Sequence, residues 1–444
     1  MTADTVIFGK WLFTADAADS VLTDHAVVIK DGKISDILPS EAAEKIPAEK
    51  VFRLDTCALL PGFVNTHCHA PMNLLRCVGS DLSTLDWLHK AIWPLEGKLM
   101  SPEFVRDGSL LGTGEMLSGG VTTSNDMYFF PEEIVESQLE LGMRAAAGGF
   151  IIGFPSAYAA DEEAYFQGAV RLYETYKDNP LVSVNMAPHA VYSVSAEMLQ
   201  KSMRFAEEHG LVWQIHLSET EEEVQNCIKA HGVSPVKYLS DLGCLKSNTV
   251  AAHAVHLSDE DIELFAKAGA SVAHCPTSNM KLGCGAARIA DLIDAGVNVA
   301  LGTDGAASGH TLSVLGEMRT AGLIAKGFAH NPSALPIRTL LRMATVNGAK
   351  ALGLDADIGS LEKGKDADLI AVDLSGYQTV PVSDPLSVLI YSAERECVSA
   401  CWVRGNHVVD KQHGQIKTPQ WESILSKSHI LTWHNRVCEI LKGN

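Results

Sequence analysis

Two imidazoles two residues apart close an apolar run, Pro61-Gly62-Phe63-Val64-Asn65-Thr66-His67-Cys68-His69-Ala70-Pro71. Along a strand, alternation sends both rings to one face, side by side at its C-terminal end. Neutral imidazole is a leading ligand for zinc and related divalent ions, so His67 and His69 could form half of a metal site. A bare His-x-His is also compatible with ordinary surface or core chemistry. Three more ligand-type residues decide the matter, because His216, His253 and Asp304 each close a short apolar run as well.

The elements that would have to position these residues recur along the chain. Candidate strands are Leu60-His67, Val121-Asp126, Met143-Gly149, Leu181-Ala187, Leu211-His216, Thr249-His253, Ser271-Cys275 and Val297-Thr303. Between them, Pro102-Leu117, Ala196-His209, Asp259-Ala268 and Ala286-Ala295 carry apolar residues at helical spacing. Strands that alternate with helices in this way predict an α/β fold, a TIM-like (β/α)8 barrel with its chemistry at the C-terminal ends of the strands. Ligand-type residues at four of those ends, after strands one, five, six and eight, then converge on one point above the barrel. For His253 and His274 the alternative is a core histidine satisfied by hydrogen bonds.

Both flanks read as all-β. Thr5-Phe13, Ala26-Ile29, Gly32-Ile37, Ala367-Val372 and Val398-Arg404 are short alternating segments bounded by turn residues. The expected organisation is a small discontinuous β-sandwich domain built from both chain ends (1-58 plus 362-418), a barrel domain (59-361) and a C-terminal helix within 419-444. Composition narrows the partners. Lys+Arg 35 against Asp+Glu 54 gives a net charge of -19, with no basic run, so a nucleic acid is not an expected partner. A small uncharged or zwitterionic substrate fits better. No stretch of about 18 to 20 apolar residues occurs, and no basic segment followed by an apolar one opens the chain, so a cytoplasmic location and no membrane contact are expected. The 10 cysteines show no CxxC spacing, which points to reduced thiols and not to a disulfide framework.

The order of motifs resembles the amidohydrolase superfamily, and within it the deaminases of 5'-methylthioadenosine and S-adenosylhomocysteine. The resemblance runs from the His67/His69 motif to Gly364-Lys365-Asp366-Ala367-Asp368-Leu369. It includes Trp87-Leu88, Ile92-Trp93-Pro94-Leu95-Glu96, Pro188-His189, His216-Leu217-Ser218-Glu219-Thr220, His274-Cys275-Pro276-Thr277-Ser278-Asn279 and Gly302-Thr303-Asp304-Gly305. It implies a hydrolase acting on C–N bonds in cyclic amidines, with one divalent ion, zinc foremost, held by His67, His69, His216 and Asp304. Such a site keeps a position open for water and lowers its pKa to about 7.

By the same resemblance Asp304 accepts the proton of the attacking water, His253 orients that water, and Glu219 protonates a ring nitrogen and the departing amine. Glu96 is implied to bind the ribose hydroxyls and His189 the purine edge, with Trp93 beside the substrate. Trp87 and Trp93 can also be read as loop packing. Glu219 has a structural alternative as well, since Ser218-x-x-Glu221 has the pattern of a helix start; there Glu221 can serve the cap. His189 stands where a bridging lysine would be needed for two metals, which favours one. A homo-oligomer is compatible with the family.

The expected reaction converts 5'-methylthioadenosine to 5'-methylthioinosine and ammonia, with adenosine and S-adenosylhomocysteine as weaker substrates. In relatives that favour S-adenosylhomocysteine, arginines beyond strand three meet its carboxylate. Here residues 145 to 170 contain no Lys or Arg but carry Phe150, Ile151, Ile152, Phe154, Tyr158, Tyr165 and Phe166 with Asp161, Glu162 and Glu163. Arg76, Arg144 or a neighbouring subunit are the other sources of a cation. Two alternatives use the same site: a guanine or other aminopurine deaminase, against which Met72 stands where a Gln would pair with the base, and a catalytically inactive binding homologue. The cytidine-type deaminases are excluded because neither H-x-E nor P-C-x-x-C occurs.

Overall fold

The computed structural model describes residues 2–412, 415–416 and 427–442. Its first sheet draws on both chain ends: β1 (Ala3–Phe13), β2 (Val21–Lys30), β3 (Lys33–Pro39) and β4 (Ala48–Pro61) precede the barrel in sequence. The barrel strands follow as β5 (Phe63–Cys68), β6 (Val121–Asp126), β7 (Arg144–Ile151) and β8 (Val182–Pro188). They continue with β9 (Trp213–Leu217), β10 (Thr249–His253), β11 (Ser271–His274) and β12 (Asn298–Leu301). Finally β13 (Leu369–Asp373), β14 (Val398–Val403), β15 (Asn406–Gln412) and β16 (Gln415–Ile416) return to the first sheet.

Strands β5 to β12 pair in chain order, all parallel, into an eight-stranded sheet. Its two edges approach each other, since Cys68 bridges Asp304 and the Thr66 hydroxyl donates to the Leu301 carbonyl at 2.8 Å. The result is a nearly closed TIM-like barrel. The other sheet has the order β16-β15-β14-β13-β4-β1-β2-β3 and is mixed, with β1 and β4 parallel. Ile7, Val27, Ile29 and Ile34 from the N-terminal strands share a core with Leu369, Ala371, Ala400 and Trp402 from the C-terminal ones. Neither chain end could bury these side chains alone.

Local chemistry explains where the elements stop. The helix Ala196–His209 starts at Ser195, whose hydroxyl accepts from Met198 N–H, and ends at Gly210 in the left-handed region. Asp259–Ala268 has a full capping box between Ser258 and Asp261. In the barrel domain, two expected boundaries differ by three residues at their start. The segment Leu60-His67 is divided between two sheets, because β4 ends at Pro61 and β5 begins at Phe63. The chain crosses over at Gly62, where a Cβ would lie 2.0 Å from Thr122 Oγ1. The helix expected over Ala286-Ala295 is confined to Ile289–Asp294, since Arg288 takes a non-helical conformation and its guanidinium pairs with Asp259 and Asp291. The terminal helix spans Lys427–Lys442, and the rest of that expected segment lies outside the described residues.

Candidate active site

At the C-terminal mouth of the barrel, four strand ends bring five residues together. His67 lies in β5 with His69 just beyond it, His216 is in β9, His253 ends β10 and Asp304 follows β12. Asp304 Oδ1 is 3.1 Å from His69 Nε2 and 3.6 Å from His67 Nε2. His69 and His216 face each other, Nε2 to Nε2, at 3.3 Å. Ser218, His253 and Asp304 adopt φ of +52°, +72° and +57°. Non-glycine residues rarely occupy this left-handed region, and here it turns the chain sharply where the strands end.

Hydrogen bonds behind the rings set their tautomers. His69 Nδ1–H donates to the Met127 carbonyl at 2.5 Å and His216 Nδ1–H to the His189 carbonyl at 2.8 Å. A carbonyl only accepts, so each Nε2 presents a lone pair to the centre. Asp304 Oδ2 accepts from Ser278 at 2.6 Å and Ser308 at 2.7 Å, which leaves Oδ1 facing the histidines. His67 Nε2 is buried without any hydrogen-bond partner. Burial lowers the His67 pKa to about 4 and that of His216 well below the usual imidazole range. Burial alone would raise the Asp304 pKa, yet the adjacent His67 and His69 hold it well below the usual carboxylate range. Burial would lower the His69 pKa, yet Asp304 beside it raises it above the usual imidazole range. Three clustered imidazole Nε2 atoms, one of them orphaned, beside one carboxylate fit a divalent ion with an open position.

His253 and Glu219 stand beside this centre. His253 Nδ1–H donates to Asn279 Oδ1 at 2.8 Å, and its Nε2 lies 4.0 Å from Glu219 Oε2. The helix Glu221–His231 does not use Glu219 as its cap. Thr220 is the N-cap, accepting from Glu223 N–H at 3.1 Å, while the Glu223 carboxylate reaches back to the N–H groups of Ser218 and Glu219. Glu221, expected in that capping role, is exposed. The reason is register: Glu223 stands three residues after the true cap, so its side chain folds back over the turn. Glu219 is left to face the cleft, where Cys284 Sγ–H donates to its Oε1 at 3.6 Å.

The lining of the cleft includes Glu96, His189, Trp93, Trp87, Glu219 and Asp304. His189 Nδ1 bonds Ser193 Oγ at 2.7 Å. Trp93 packs edge-on against His89 and Phe154, and Trp87 Nε1–H donates to the Val78 carbonyl at 2.9 Å. His274 is buried, does not line the cleft and has a partnerless Nδ1. Sequence reading assigned no role to Tyr128, Ser278, Asn279, Ser308 or Glu223. Ser278 and Asn279 close the motif that begins at His274, and their spacing after His274 was the available signal. Tyr128 had none, because its contact with Glu96 joins two separate loops.

Phe150, Ile152 and Phe154 reach the cleft, and no Lys or Arg is among the described residues that line it. The other expected loop residues do different work. Tyr165 and Phe166 belong to the helix Glu162–Tyr176, which Asp161 caps. Glu162 bonds Ser195, and Glu163 pairs with Lys201. These acids therefore do not border the substrate space. Neither arginine considered as an alternative cation is available: Arg144 is buried at the opposite end of β7 against Asp366 and Asp368, and Arg76 pairs with Glu115.

Residues 58–408 match the amidohydrolase family. A 5-methylthioadenosine/S-adenosylhomocysteine deaminase of Thermodesulfovibrio yellowstonii is 41% identical over 409 residues, covering 91% of this chain and 93% of that protein. The protein of the same name from Aquifex aeolicus is 38% identical, covering 94% and 95%. A crystal structure of an adenosine deaminase from Xanthomonas campestris with bound zinc superposes with a TM-score of 0.95 at 37% identity, covering 99% of both chains.

Proposed function

This chain belongs to the amidohydrolase family, and from that premise we propose that it deaminates adenosine-type nucleosides with one bound divalent ion, best 5'-methylthioadenosine. It is a hydrolase of C–N bonds. The observation that carries the reading is the cluster in which Asp304 Oδ1 lies 3.6 Å from His67 Nε2 and 3.1 Å from His69 Nε2, with His216 Nε2 3.3 Å from that of His69, beside Glu219 and His253 in a cleft with no Lys or Arg among its described lining residues. What a divalent ion supplies in such a site is Lewis acidity, which brings the pKa of a water molecule to about 7.

The side chains do the rest. Asp304, ionised and braced by two hydroxyls, takes the proton of the attacking water. His253, held in one tautomer by Asn279, turns Nε2 toward that water and orients it. Glu219 passes its proton to the purine ring nitrogen as the C–O bond forms, takes up the one that Asp304 received from water and gives it to the amine as the C–N bond breaks; the new hydroxyl, becoming the carbonyl, returns a proton to Glu219 as ammonia leaves. Glu96 accepts the ribose hydroxyls, His189 meets the purine edge, and Trp93 forms a wall beside the substrate.

Phe150, Ile152 and Phe154 receive the 5' substituent. Burying a methyl-sized group there contributes about 1 kcal/mol, whereas the carboxylate of S-adenosylhomocysteine would meet no Lys or Arg among the described lining residues. The test is kcat/KM for the three nucleosides together with metal content in one preparation. The expected result is about one equivalent of metal and the order 5'-methylthioadenosine, adenosine, S-adenosylhomocysteine. Equal or better turnover of S-adenosylhomocysteine would overturn the ranking, and no deamination of any of them would overturn the function.

A further inference from the structure

Tyr128 lies two residues beyond the end of β6, buried at the wall of the cleft, and its hydroxyl donates to Glu96 Oε1. The phenol ring is fixed edge-on against Phe129, at 5.3 Å between centroids. Glu96 comes from a different loop, on the short helix Trp93–Leu99. Its surroundings in the cleft are largely apolar, with no Lys or Arg among the described lining residues. Burial pushes the Glu96 pKa up to about 7, and the hydrogen bond from Tyr128 opposes that rise.

A carboxylate that accepts two neighbouring hydroxyls must present its plane in one orientation, and a glutamate has three side-chain torsions with which to lose it. Each carboxylate oxygen has two lone pairs. A donor on one lone pair of Oε1 fixes the plane and leaves Oε2, and the second lone pair of Oε1, for a ligand. We propose that Tyr128 is a positioning residue, which orients Glu96 for the ribose hydroxyls and so sets this chain's preference for ribonucleosides over nucleosides that lack them. This rests on the reading of Glu96 as the ribose ligand.

The experiment compares adenosine with 2',3'-dideoxyadenosine, which lacks both hydroxyls, for wild type, Tyr128→Phe, Glu96→Gln and the double variant. Tyr128→Phe should lower kcat/KM for adenosine about tenfold, mainly through KM, as expected for a lost hydrogen bond to a charged group. Turnover of the dideoxynucleoside and metal content should stay unchanged. In the Glu96→Gln background the second substitution should add little, because the two side chains act as one unit. Equal losses on both nucleosides, or a full tenfold loss on top of Glu96→Gln, would overturn the positioning role. If Glu96→Gln itself keeps the wild-type preference, the reading of Glu96 fails separately, and the proposal with it. Tyr128→Met, which keeps apolar bulk without the hydroxyl, gives the same comparison should the Phe variant not fold.

Discussion

His67 Nε2 is a buried polar atom with no partner in the protein, an arrangement that is destabilising unless a ligand completes it. His67→Ala should therefore lose metal and turnover together while the chain stays folded. Elemental analysis beside circular dichroism checks this, and a variant that is active without metal would contradict it. Glu219 makes a different demand. Its side chain has no capping duty, so Glu219→Gln should keep metal content and melting temperature while kcat falls about 100-fold or more, the scale of lost general acid-base catalysis. Glu221→Gln, on an exposed side chain, is the control and should be nearly silent. If Glu219→Gln lowered stability but left kcat unchanged, the proton-shuttle role would be wrong.

Short helices beside the mouth hold the working side chains at the scale of elements. Pro276–Lys281 carries Ser278 and Asn279, the partners of Asp304 and His253. Its first turn is held from outside by Glu317, whose Oε2 accepts from Thr277 N–H at 3.0 Å. Burial raises the Glu317 pKa from 4.5 to about 8. The folded chain thus keeps this proton over a range in which the unfolded chain has lost it. The Glu317 contribution to stability must decline as pH rises from about 4.5 to about 8 and then level off. Glu317→Gln has no proton to lose, so its stability relative to wild type should rise between about pH 5 and pH 8. Denaturant unfolding at both values is the measurement, and a constant difference would rule the effect out.

Across the whole molecule, the two sheets are joined by a buried charge cluster. Arg144, at the start of β7, bonds Asp368 at 3.0 Å and Asp366 at 2.8 Å, and Asp368 also accepts from Arg404 N–H at 2.7 Å. All three side chains are nearly inaccessible to solvent. Arg144→Met should cost about 3–5 kcal/mol, because it leaves Asp368 buried without its cation, while Asp366 keeps Lys33 at 2.9 Å and Arg404 at 3.3 Å. kcat of the folded enzyme should barely change, since the cluster lies at the end of the barrel away from the cleft. Unfolding free energies and kcat measured on one preparation test both halves. A variant as stable as wild type would show that the cluster does not hold the sheets together.

The barrel, and the gathering of His67, His69, His216, His253 and Asp304 at its mouth, were legible in the residues themselves. Parallel strands buried on both faces are short continuous apolar runs, and a ligand-type residue at a strand's C-terminal end is marked by the end of its run, as with His67, His216 and His253. The helix Ala196–His209 was equally legible, because its cap Ser195 and its terminator Gly210 are local signals. β4 was not, since its first half is largely exposed and lacks a clean alternation. Gly62 divides one apolar run between two sheets for a reason that lies in Thr122, far away in sequence. The supporting shell was hidden in the same way: Tyr128 on Glu96, Asn279 on His253, and Ser278 and Ser308 on Asp304 are contacts between separate loops. Composition alone implied that Asp161, Glu162 and Glu163 would border the substrate, but packing turned them to a helix cap and to partners on the neighbouring helix. Sequence determines which residue types end each strand, because periodicity is a local property; which of them share hydrogen bonds depends on distances that exist only after the barrel closes.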